Sequence, residues 1–550
     1  MTSNYLSSVF SNRKEITSTQ LVVFTSLFFL LFGNVTFFRH ILEAYPFSFK
    51  NFLFLASLTA GGALAITLFL TLVTSVCPTK PLLILFLLVS SVAAYVMDTY
   101  DIVLDYIMIQ NIVETNWAET SDLLSLRMVG YFFVLGLLPS YAVYRVAVQK
   151  ESVKRAVFRK IRDIFIILIT IFAIMLTFSK FYTSFFREHE PLRWYSNPIY
   201  YVYSVSKYIR KNFTLHDVKV EPLGLDAIIV EDAEEIKEDK VPAAKKLVIL
   251  VVGEAARADH FSLDGYRRET NPLLKKEDIV NFSKVCSCGT STSYSVPCMF
   301  SVFPRSEFNS DKGKTTENVL DVLQHTGQVD ILWRDNNSDS KGVALRVPYE
   351  DYRSPENNTI CEDGECRDEG MLVGLNQYIE QHEGKDILIV LHQMGNHGPA
   401  YYKRYPKQFE QFTPTCRTNQ LEDCSQEEII NAYDNALLYT DYFLSEIIGF
   451  LRKYDTDHRT AMIYLSDHGE SLGENGVYLH GLPYMIAPDA QKHIGAVMWF
   501  GERTREHLNL DVLEQKKDRE FSHDNLFHTL LGFFAVKTDV YEKELDILNN

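Results

Sequence analysis

The chain has 550 residues, of which 47% are hydrophobic and 23% are charged, and its formal net charge is −16. The charge is unevenly divided, since residues 1–180 hold 14 Lys/Arg and 10 Asp/Glu, whereas residues 181–550 hold 40 and 60. A hydrophobic, slightly basic first part joined to a large acidic second part excludes a purely soluble enzyme, a disordered protein and a simple nucleic-acid binder.

Five uncharged stretches in the first 180 residues are candidate transmembrane helices. The first two, 16–38 and 51–79, easily reach the roughly 20 apolar residues that a spanning helix needs. The other three are shorter and span the bilayer only if flanking charged side chains reach its interface. We therefore predict a transmembrane domain over residues 1–180. Its five helices are expected at about 16–38, 51–75, 81–98, 127–146 and 162–181.

The charges of the short loops predict the orientation of these helices. The loop between the fourth and fifth helices is rich in basic residues, from Arg145 to Arg162, and is expected to be cytoplasmic together with the N-terminus. The loop at 98–126 is acidic and is expected on the opposite side. An odd number of spans then places the rest of the chain outside as well.

The segment that follows the spans is unusually aromatic. Residues 181–213 contain eleven Phe, Tyr and Trp residues, which favour the headgroup layer of a bilayer, although an ordinary aromatic core is the alternative. A polar stretch with the run EDAEEIKEDK comes next. We predict interfacial helices and a linker over 181–243, followed by an external domain over 244–550.

The cysteines indicate an oxidising compartment. Seven of the eight lie in the predicted external domain. Their close spacings indicate disulfides, which persist only in an oxidising space, and a zinc–thiolate site is the alternative. Cys286 is left over and competes with Cys288 as the partner of Cys298. The predicted pairs are Cys288–Cys298, Cys361–Cys366 and Cys416–Cys424.

The external domain has the pattern of an α/β fold. Short apolar runs such as KKLVILVV (245–252), DILIVLH (386–392), TAMIYLS (460–466) and IGAVMWF (494–500) alternate with helical patterns such as 367–382 and 427–454. Fully apolar strands between helices indicate a mainly parallel sheet that is covered on both faces. Active sites of such sheets lie beyond the carboxyl ends of the strands.

Acidic and histidine residues follow these strands. Each alone has an ordinary explanation, as a turn or a structural histidine. Together, carboxylate and imidazole groups at several strand ends suit Zn²⁺ and predict a metal site. The residues concerned are Glu254, His392, His397, Asp467, His468 and His480.

The segment CGTSTSYSVPCMF (288–300) supplies a candidate nucleophile. It holds five hydroxyl side chains at the start of a predicted helix, where one of them can also serve as an N-cap. A hydroxyl beside Zn²⁺ at a helix N-terminus can be activated and can face a bound phosphate. Composition does not choose among the five. RDNNSDSK (334–341) adds amides and a lysine that suit a phosphoryl group, with a polar turn as the alternative.

Taken together, these segments resemble one family. The resemblance is to the lipid A phosphoethanolamine transferases, the group that includes mobile colistin-resistance enzymes, within the alkaline-phosphatase/sulfatase-like superfamily. It extends over the whole external domain and agrees with five preceding spans. The segments that carry it are VGEAARADHFSLDGY, CGTSTSYSVPCMFS, LWRDNNSDSKG, LHQMGNHGPAYYKRY and SDHGESLGENGVYLHG.

The resemblance implies roles for individual residues. It makes Thr292 the nucleophile and gives one firmly bound Zn²⁺ the ligands Glu254, Thr292, Asp467 and His468. It assigns His397 and His480 to the phosphoryl group, to a second zinc ion or to the leaving group, and Asn337, Ser338 and Lys341 to the substrate. Asn111, Thr115 and Glu119 share one helix face, which the family uses for the ethanolamine headgroup, although a solvated face is the alternative.

The resemblance also implies the reaction and the compartment. Phosphatidylethanolamine would be the donor and a phosphate of lipid A the acceptor, with a covalent phosphoethanolamine-threonine intermediate, release of diacylglycerol and polymyxin resistance. We expect a monomer in the Gram-negative inner membrane with a periplasmic catalytic domain. The alternatives are another acceptor (a core-sugar heptose, a protein or glycan, or water), phosphoglycerol transfer to a polymer, and a non-catalytic zinc-binding membrane protein.

Overall fold

The structure is a computed structural model that describes residues 15–114, 124–214, 220–230, 244–362 and 364–549. The chain forms two compact units. One comprises Met1–Ile109 and Leu124–Arg210, and the other comprises Gln110–Leu123 and Lys211–Asn550.

The described part of the first unit is helical. Its helices in chain order are α1 (Ser18–Phe32), α2 (Val35–Ala44), α3 (Phe49–Val76), α4 (Thr79–Tyr100), α5 (Tyr106–Glu114, which ends in the second unit), α6 (Leu126–Arg145, with a π-helical turn at Phe132–Leu137), α7 (Val153–Thr177), α8 (Ser179–Glu188) and α9 (Ile199–Thr214). A 3₁₀ turn at Glu190–Tyr195 joins α8 to α9.

Fewer helices than predicted satisfy the requirements of a membrane span. Helices α3, α4 and α6 are long and apolar enough, and α1 with α2 makes a fourth if that pair, bent by 59°, is one span. The first predicted span is therefore broken at Gly33 and Asn34, where the backbone leaves the helical conformation. The predicted span 162–181 overlaps α7, whose charged residues extend to Asp163. The five-span count is not confirmed.

The second unit contains a seven-stranded mixed sheet. Its strand order is β3-β14-β10-β2-β9-β5-β6. The five strands from β10 to β6 are parallel, as predicted, whereas β14 and β3 add an antiparallel edge. The strands are β1 (Ile228–Ile229), β2 (Lys245–Gly253), β3 (Ile279–Asn281), β4 (Val285–Cys286), β5 (Val329–Asp335), β6 (Tyr349–Asp351), β7 (Cys361–Glu362), β8 (Glu365–Cys366), β9 (Asp386–His392), β10 (His458–Ser466), β11 (Ser471–Leu472), β12 (Tyr478–Leu479), β13 (His493–Ile494), β14 (Ala496–Phe500), β15 (Phe521–Ser522) and β16 (Val536–Lys537).

Helices cover the sheet. On one face, alternate residues of β2 such as Val248 and Leu250 share a core with α12 (Val319–His325) and α17 (Asp524–Phe533). The intervening residues Leu247 and Ile249 are equally buried. Burial on both faces explains why these strands read as continuous apolar runs. The helices are α10 (Thr292–Met299), α11 (Ser310–Thr315), α12 (Val319–His325), α13 (Leu375–Gln381), α14 (Gln426–Leu451), α15 (Glu502–Arg505), α16 (Leu510–Lys516) and α17 (Asp524–Phe533).

All three predicted disulfides are present in the second unit. They join Cys288 to Cys298, Cys361 to Cys366, and Cys416 to Cys424. The competing partner of Cys298, Cys286, is a free and exposed cysteine, and Cys77 is also free. The prediction of loop-stapling disulfides from the cysteine spacing is therefore confirmed.

Candidate metal and catalytic centre

The register of the parallel strands brings four carboxyl ends together. Gly253 of β2 pairs with Ser466 of β10, and His392 of β9 pairs with both Val252 and Asp335. The residues that directly follow these strands therefore converge at one edge of the sheet, where sites of open α/β sheets are found.

Three of the predicted metal ligands meet at this edge. Glu254, Asp467 and His468 are all completely buried. His468 Nε2 lies 3.5 Å from Glu254 Oε1 and 3.5 Å from Asp467 Oδ2. The imidazole nitrogen thus faces two carboxylates at once, and the structure brings together the acidic and histidine ligands that the sequence singles out.

The hydroxyl of Thr292 completes this cluster. Thr292 is the first residue of α10, and its Oγ1 donates a hydrogen bond of 3.1 Å to Glu254 Oε2 and lies 3.3 Å from His468 Nε2. The neighbouring Thr290 instead donates to the carbonyl of Leu482, and Ser295 donates to the carbonyl of Asp467. Geometry therefore distinguishes Thr292 within a segment where composition does not.

Asn337 donates to the same carboxylate oxygen of Glu254 as Thr292 does. Its Nδ2 donates to Glu254 Oε2 at 2.8 Å and to the carbonyl of Gln393 at 2.9 Å. Its own backbone N–H donates to Asp335, whose other carboxylate oxygen lies 2.9 Å from His392 Nδ1. His392 therefore contacts Asp335, and it is linked to Glu254 through Asp335 and Asn337.

The turn after Asn337 carries two more predicted residues. Ser338 is buried, and its carbonyl accepts a hydrogen bond from Lys341 Nζ at 2.8 Å. Asp339 and Lys341 both have positive φ angles, 89° and 52°, which are unusual for residues other than glycine. Backbone strain of this kind is found at ligand-binding turns and is maintained only where the surroundings enforce it.

The two remaining predicted histidines stand beside His468. The ring centroids of His468 and His480 are 4.3 Å apart, and those of His397 and His480 are 6.1 Å apart. Side-chain atoms of Glu254, His468 and His480 all lie within 4.8 Å of one another, a geometry that can hold a metal ion. His480 Nδ1 is 3.1 Å from Glu470 Oε2. This set includes His480, which the resemblance assigns to the phosphoryl group, a second zinc ion or the leaving group and not to the firmly bound zinc ion.

The buried carboxyl and imidazole groups of the site favour a bound cation. Burial, reinforced by the charge of Asp467, raises the pKa of Glu254 well above its usual range. Burial lowers the pKa of His468 and of His397. Within the described residues, Glu254 Oε1 and Asp467 Oδ2 have no hydrogen-bond partner, although both are buried. Unpaired buried carboxylate oxygens next to an imidazole and a hydroxyl are a donor set that fits Zn²⁺.

The residues predicted for the ethanolamine headgroup are only partly described. Asn111 accepts a hydrogen bond from Ser293, the residue after Thr292. Thr115 and Glu119 lie outside the described residues. Glu114, which the sequence does not single out, is half-buried near Lys341, and burial raises its pKa.

Sequence reasoning also missed Glu470, Asp335 and Gln393. Glu470 lies within the SDHGES segment, and Asp335 and Gln393 flank strand ends, so the strand-end rule contains the signal. Their roles depend on side-chain direction, which a one-dimensional pattern does not carry.

Comparisons with known proteins agree on both units. The sulfatase family profile matches residues 246–536, and the profile of phosphoethanolamine transferase EptA/EptB matches residues 63–213. The chain is 43% identical over 539 residues to phosphatidylethanolamine transferase Mcr-1 of Escherichia coli, covering 96% of each chain. It is 39% identical to phosphoethanolamine transferase EptA of Escherichia coli K12, covering 94% of this chain and 93% of that one.

A solved structure resembles nearly the entire chain. It is the integral membrane protein lipooligosaccharide phosphoethanolamine transferase A from Neisseria meningitidis. The TM-score is 0.91 at 34% sequence identity, and the match covers 97% of this chain and 99% of that chain. The similarity therefore includes the helical unit as well as the sulfatase-like unit.

Proposed function

This chain belongs to the phosphoethanolamine transferase family, and from that premise we propose that it transfers phosphoethanolamine from phosphatidylethanolamine to a phosphate of lipid A. The observation that supports this most directly is the Thr292 hydroxyl, which points at Glu254 and His468 from the first turn of α10. The names of the full-length relatives support the donor, and the resemblance supports the acceptor.

In this proposal the site binds one zinc ion through Glu254, Thr292, Asp467 and His468, and a second ion, where one binds, is held near His397 and His480. When bound, the metal lowers the pKa of a coordinated hydroxyl and offsets the negative charge of a phosphoryl group. The buried carboxylate oxygens that lack partners support this ligand set.

The reaction then has two balanced steps. In the first step the Thr292 hydroxyl gives its proton to His397 or His480, its oxygen forms a bond to the donor phosphorus, and the bond from phosphorus to the diacylglycerol oxygen breaks. The same histidine passes the proton on to the diacylglycerol oxygen. A phosphoethanolamine-threonine remains. In the second step a phosphate oxygen of lipid A attacks the same phosphorus, the bond from phosphorus to the Thr292 oxygen breaks, and the proton of the lipid A phosphate goes to the released Thr292 oxygen. The added ammonium reduces the negative charge of lipid A and weakens binding of cationic peptides such as polymyxin.

Substrate contacts are proposed on two sides of the threonine. On one side, Asn337, Ser338 and Lys341 contact the phosphoryl group. The hydrogen bond from the Asn337 amide to Glu254 supports this role for Asn337. The strained turn that carries Ser338, which is buried, and Lys341 supports it for those two residues. Asn111, Thr115 and Glu119 receive the ethanolamine headgroup, supported by the contact between Asn111 and Ser293.

The proposed location is the Gram-negative inner membrane. Five spans over residues 1–180, with a cytoplasmic N-terminus, would place an interfacial segment at 181–243 and a periplasmic catalytic domain at 244–550. Three disulfides in the second unit support an oxidising compartment. We propose that the protein acts as a monomer.

The nucleophile is tested by mass spectrometry of lipid A from cells that express the wild-type protein, Thr292→Ala or Thr290→Ala. We expect no added phosphoethanolamine with Thr292→Ala and retained modification with Thr290→Ala, whose hydroxyl points elsewhere. Wild-type levels of lipid A modification by Thr292→Ala would overturn the assignment of Thr292 as the nucleophile.

The zinc ligands are tested by measuring the zinc content of Glu254→Ala and Asp467→Ala. An unchanged zinc stoichiometry in both variants would contradict the proposed ligand set.

A further inference from the structure

A cavity of about 820 Å³ lies inside the first unit, separate from the catalytic residues. Its walls come from α1, α2, α3 and α7 and from the segment that runs from α8 to α9. Most of the lining is apolar, and Gly61 and Gly62 of α3 help to keep it open. A Cβ atom at Gly61 would lie 3.3 Å from the Tyr182 hydroxyl, and one at Gly62 would lie 3.2 Å from Leu30.

Two basic side chains contribute to the lining. Arg193, in the 3₁₀ turn, lies over the ring of Phe186 at 5.2 Å, and Lys207 of α9 lies over the ring of Tyr106 at 5.2 Å. Trp194, Tyr200 and Tyr203 line the cavity beside them. Among the described residues that line it, the charged side chains are these two cations, and none is Asp or Glu.

The segment from α8 to α9, which forms one wall of the cavity, is anchored to the helices by buried polar contacts. Asn34 Nδ2 donates to the carbonyl of Asn197 at 2.7 Å, and the Asn197 N–H donates back to Asn34 Oδ1 at 2.9 Å. The hydroxyls of Tyr201 and Ser90 are 3.1 Å apart. These contacts fix the positions of Arg193 and α9, so the cavity is preformed.

We propose that this cavity binds one phospholipid with a net negative headgroup. An acyl chain would fill the apolar part, and the phosphate would lie against Arg193 and Lys207. The volume falls in the range of ligand sites, roughly 300–1,000 Å³, and sites between bundle helices are common. A zwitterionic lipid such as phosphatidylethanolamine fits less well, because its ammonium finds no carboxylate among the described residues of this lining. The site therefore differs in specificity from the proposed donor site, and it does not depend on the proposed reaction.

Native mass spectrometry of the full-length protein in detergent tests this proposal. The delipidated protein is given dioleoylphosphatidylglycerol or dioleoylphosphatidylethanolamine at equal mole fraction. We expect one retained phosphatidylglycerol per chain and weaker retention of phosphatidylethanolamine. The double variant Arg193→Gln with Lys207→Gln is expected to lose retention on the order of tenfold, as for two lost basic contacts to a lipid phosphate. Lys50→Gln, at an exposed lysine of α3 outside the lining, is the matched control.

Further variants separate the cavity from general lipid adhesion. Ala65→Phe narrows the apolar part and should abolish retention of either lipid, while Arg193→Lys with native Lys207 should preserve it. If circular dichroism shows that Ala65→Phe does not fold, the substitutions of Arg193 and Lys207 are sufficient to test the proposal. Equal retention of the two lipids, or unchanged phosphatidylglycerol binding in the double glutamine variant, would overturn the proposal.

Discussion

The site contains three carboxyl groups in the protein interior. Glu254, Asp467 and Glu470 are all completely buried, and Glu254 and Asp467 each have an oxygen without a partner within the described residues. Like charges in a dry interior are costly unless a cation lies between them.

Removing the metal should destabilise the second unit. A cation that binds only the folded state adds about 2.7 kcal/mol to the free energy of unfolding when its concentration is 100 times Kd. We expect chelation by EDTA to lower the urea midpoint of the full-length protein, and added Zn²⁺ to restore it. Glu254→Gln removes one of the repelling charges and should show a smaller response. A midpoint that EDTA leaves unchanged would contradict metal binding at this site.

Glu470 is predicted to position His480. Its Oε2 lies 3.1 Å from His480 Nδ1, and a carboxylate in this position fixes the ring orientation and the protonated nitrogen. Glu470→Gln should therefore lower kcat by roughly 10-fold to 100-fold, in the range for loss of a residue that orients a histidine ligand. The pH–rate profile should also shift, while zinc content stays near that of the wild type. Glu446→Gln, an exposed glutamate on α14, is the control.

At the scale of elements, the sequence predicts the parallel strands well because each is a buried apolar run. DILIVLH matches β9 residue for residue, and KKLVILVV matches β2 up to its last residue. The run 494–500 is instead split into β13 and β14 at Gly495. A Cβ atom there would lie 2.4 Å from the ring of Phe261, a tertiary contact that local pattern cannot reveal.

Helical patterns show the same limit. The segment 367–382 has helical periodicity, yet the structure has a 3₁₀ turn at Asp368–Leu372 and a short α13. Gly374 separates them with a φ of 77°. Gly370 lies against Asn358, and a Cβ atom there would lie 1.8 Å from the Asn358 side chain. Long-range packing therefore overrides the local periodicity.

Helix α14 is predicted to depend on one buried carboxylate. Asp434 accepts hydrogen bonds from Tyr266 at 2.9 Å and Arg268 at 2.8 Å, and lies 2.7 Å from His260 Nδ1. Asp434→Ala leaves these groups without their shared partner. We expect it to reduce the free energy of unfolding by about 3–5 kcal/mol, the usual cost of breaking a buried ion pair. Urea unfolding measures the loss, and Glu446→Ala on the exposed side of the same helix should change little. A loss for Asp434→Ala as small as that of the control would contradict this role.

The sequence predicts which residues form the candidate site, but it does not predict the distances between them. The strand-end rule found Glu254, Asp467 and His468, and the resemblance chose Thr292. Neither showed that His480 comes within 4.8 Å of Glu254, because β11 and β12 must first pair to bring that loop back. Loop closure of this kind is a property of the folded second unit and has no local signal.

Stability of the second unit should fall in acid through His523. Its Nδ1 accepts a hydrogen bond from the Cys288 N–H, and burial lowers its pKa to about 4. Between pH 6.5 and 4 the unfolded chain binds the proton and the folded chain does not, so stability is complete above pH 6.5 and is lost as the pH falls. At about pH 5 this histidine alone should reduce the free energy of unfolding by about 2 kcal/mol.

The variant His523→Gln, which does not titrate, isolates this contribution. Urea unfolding at about pH 7.5 and at about pH 5 should show a smaller decrease for His523→Gln than for the wild-type protein, by about 2 kcal/mol. Equal decreases in the two proteins would show that His523 does not titrate as described.

The orientation of the whole molecule can be tested with its two free cysteines. Cys77 follows α3 and is predicted to be cytoplasmic, whereas the exposed Cys286 belongs to the second unit, which is predicted to be periplasmic. A membrane-impermeant maleimide reaches only thiols outside the inner membrane of spheroplasts. Labelling of the wild-type protein in intact spheroplasts should therefore be lost in Cys286→Ser and retained in Cys77→Ser. Labelling of Cys77 should require permeabilisation. If Cys286 reacted only after permeabilisation, the second unit would face the cytosol, where neither the disulfides nor a periplasmic transfer reaction could be accommodated.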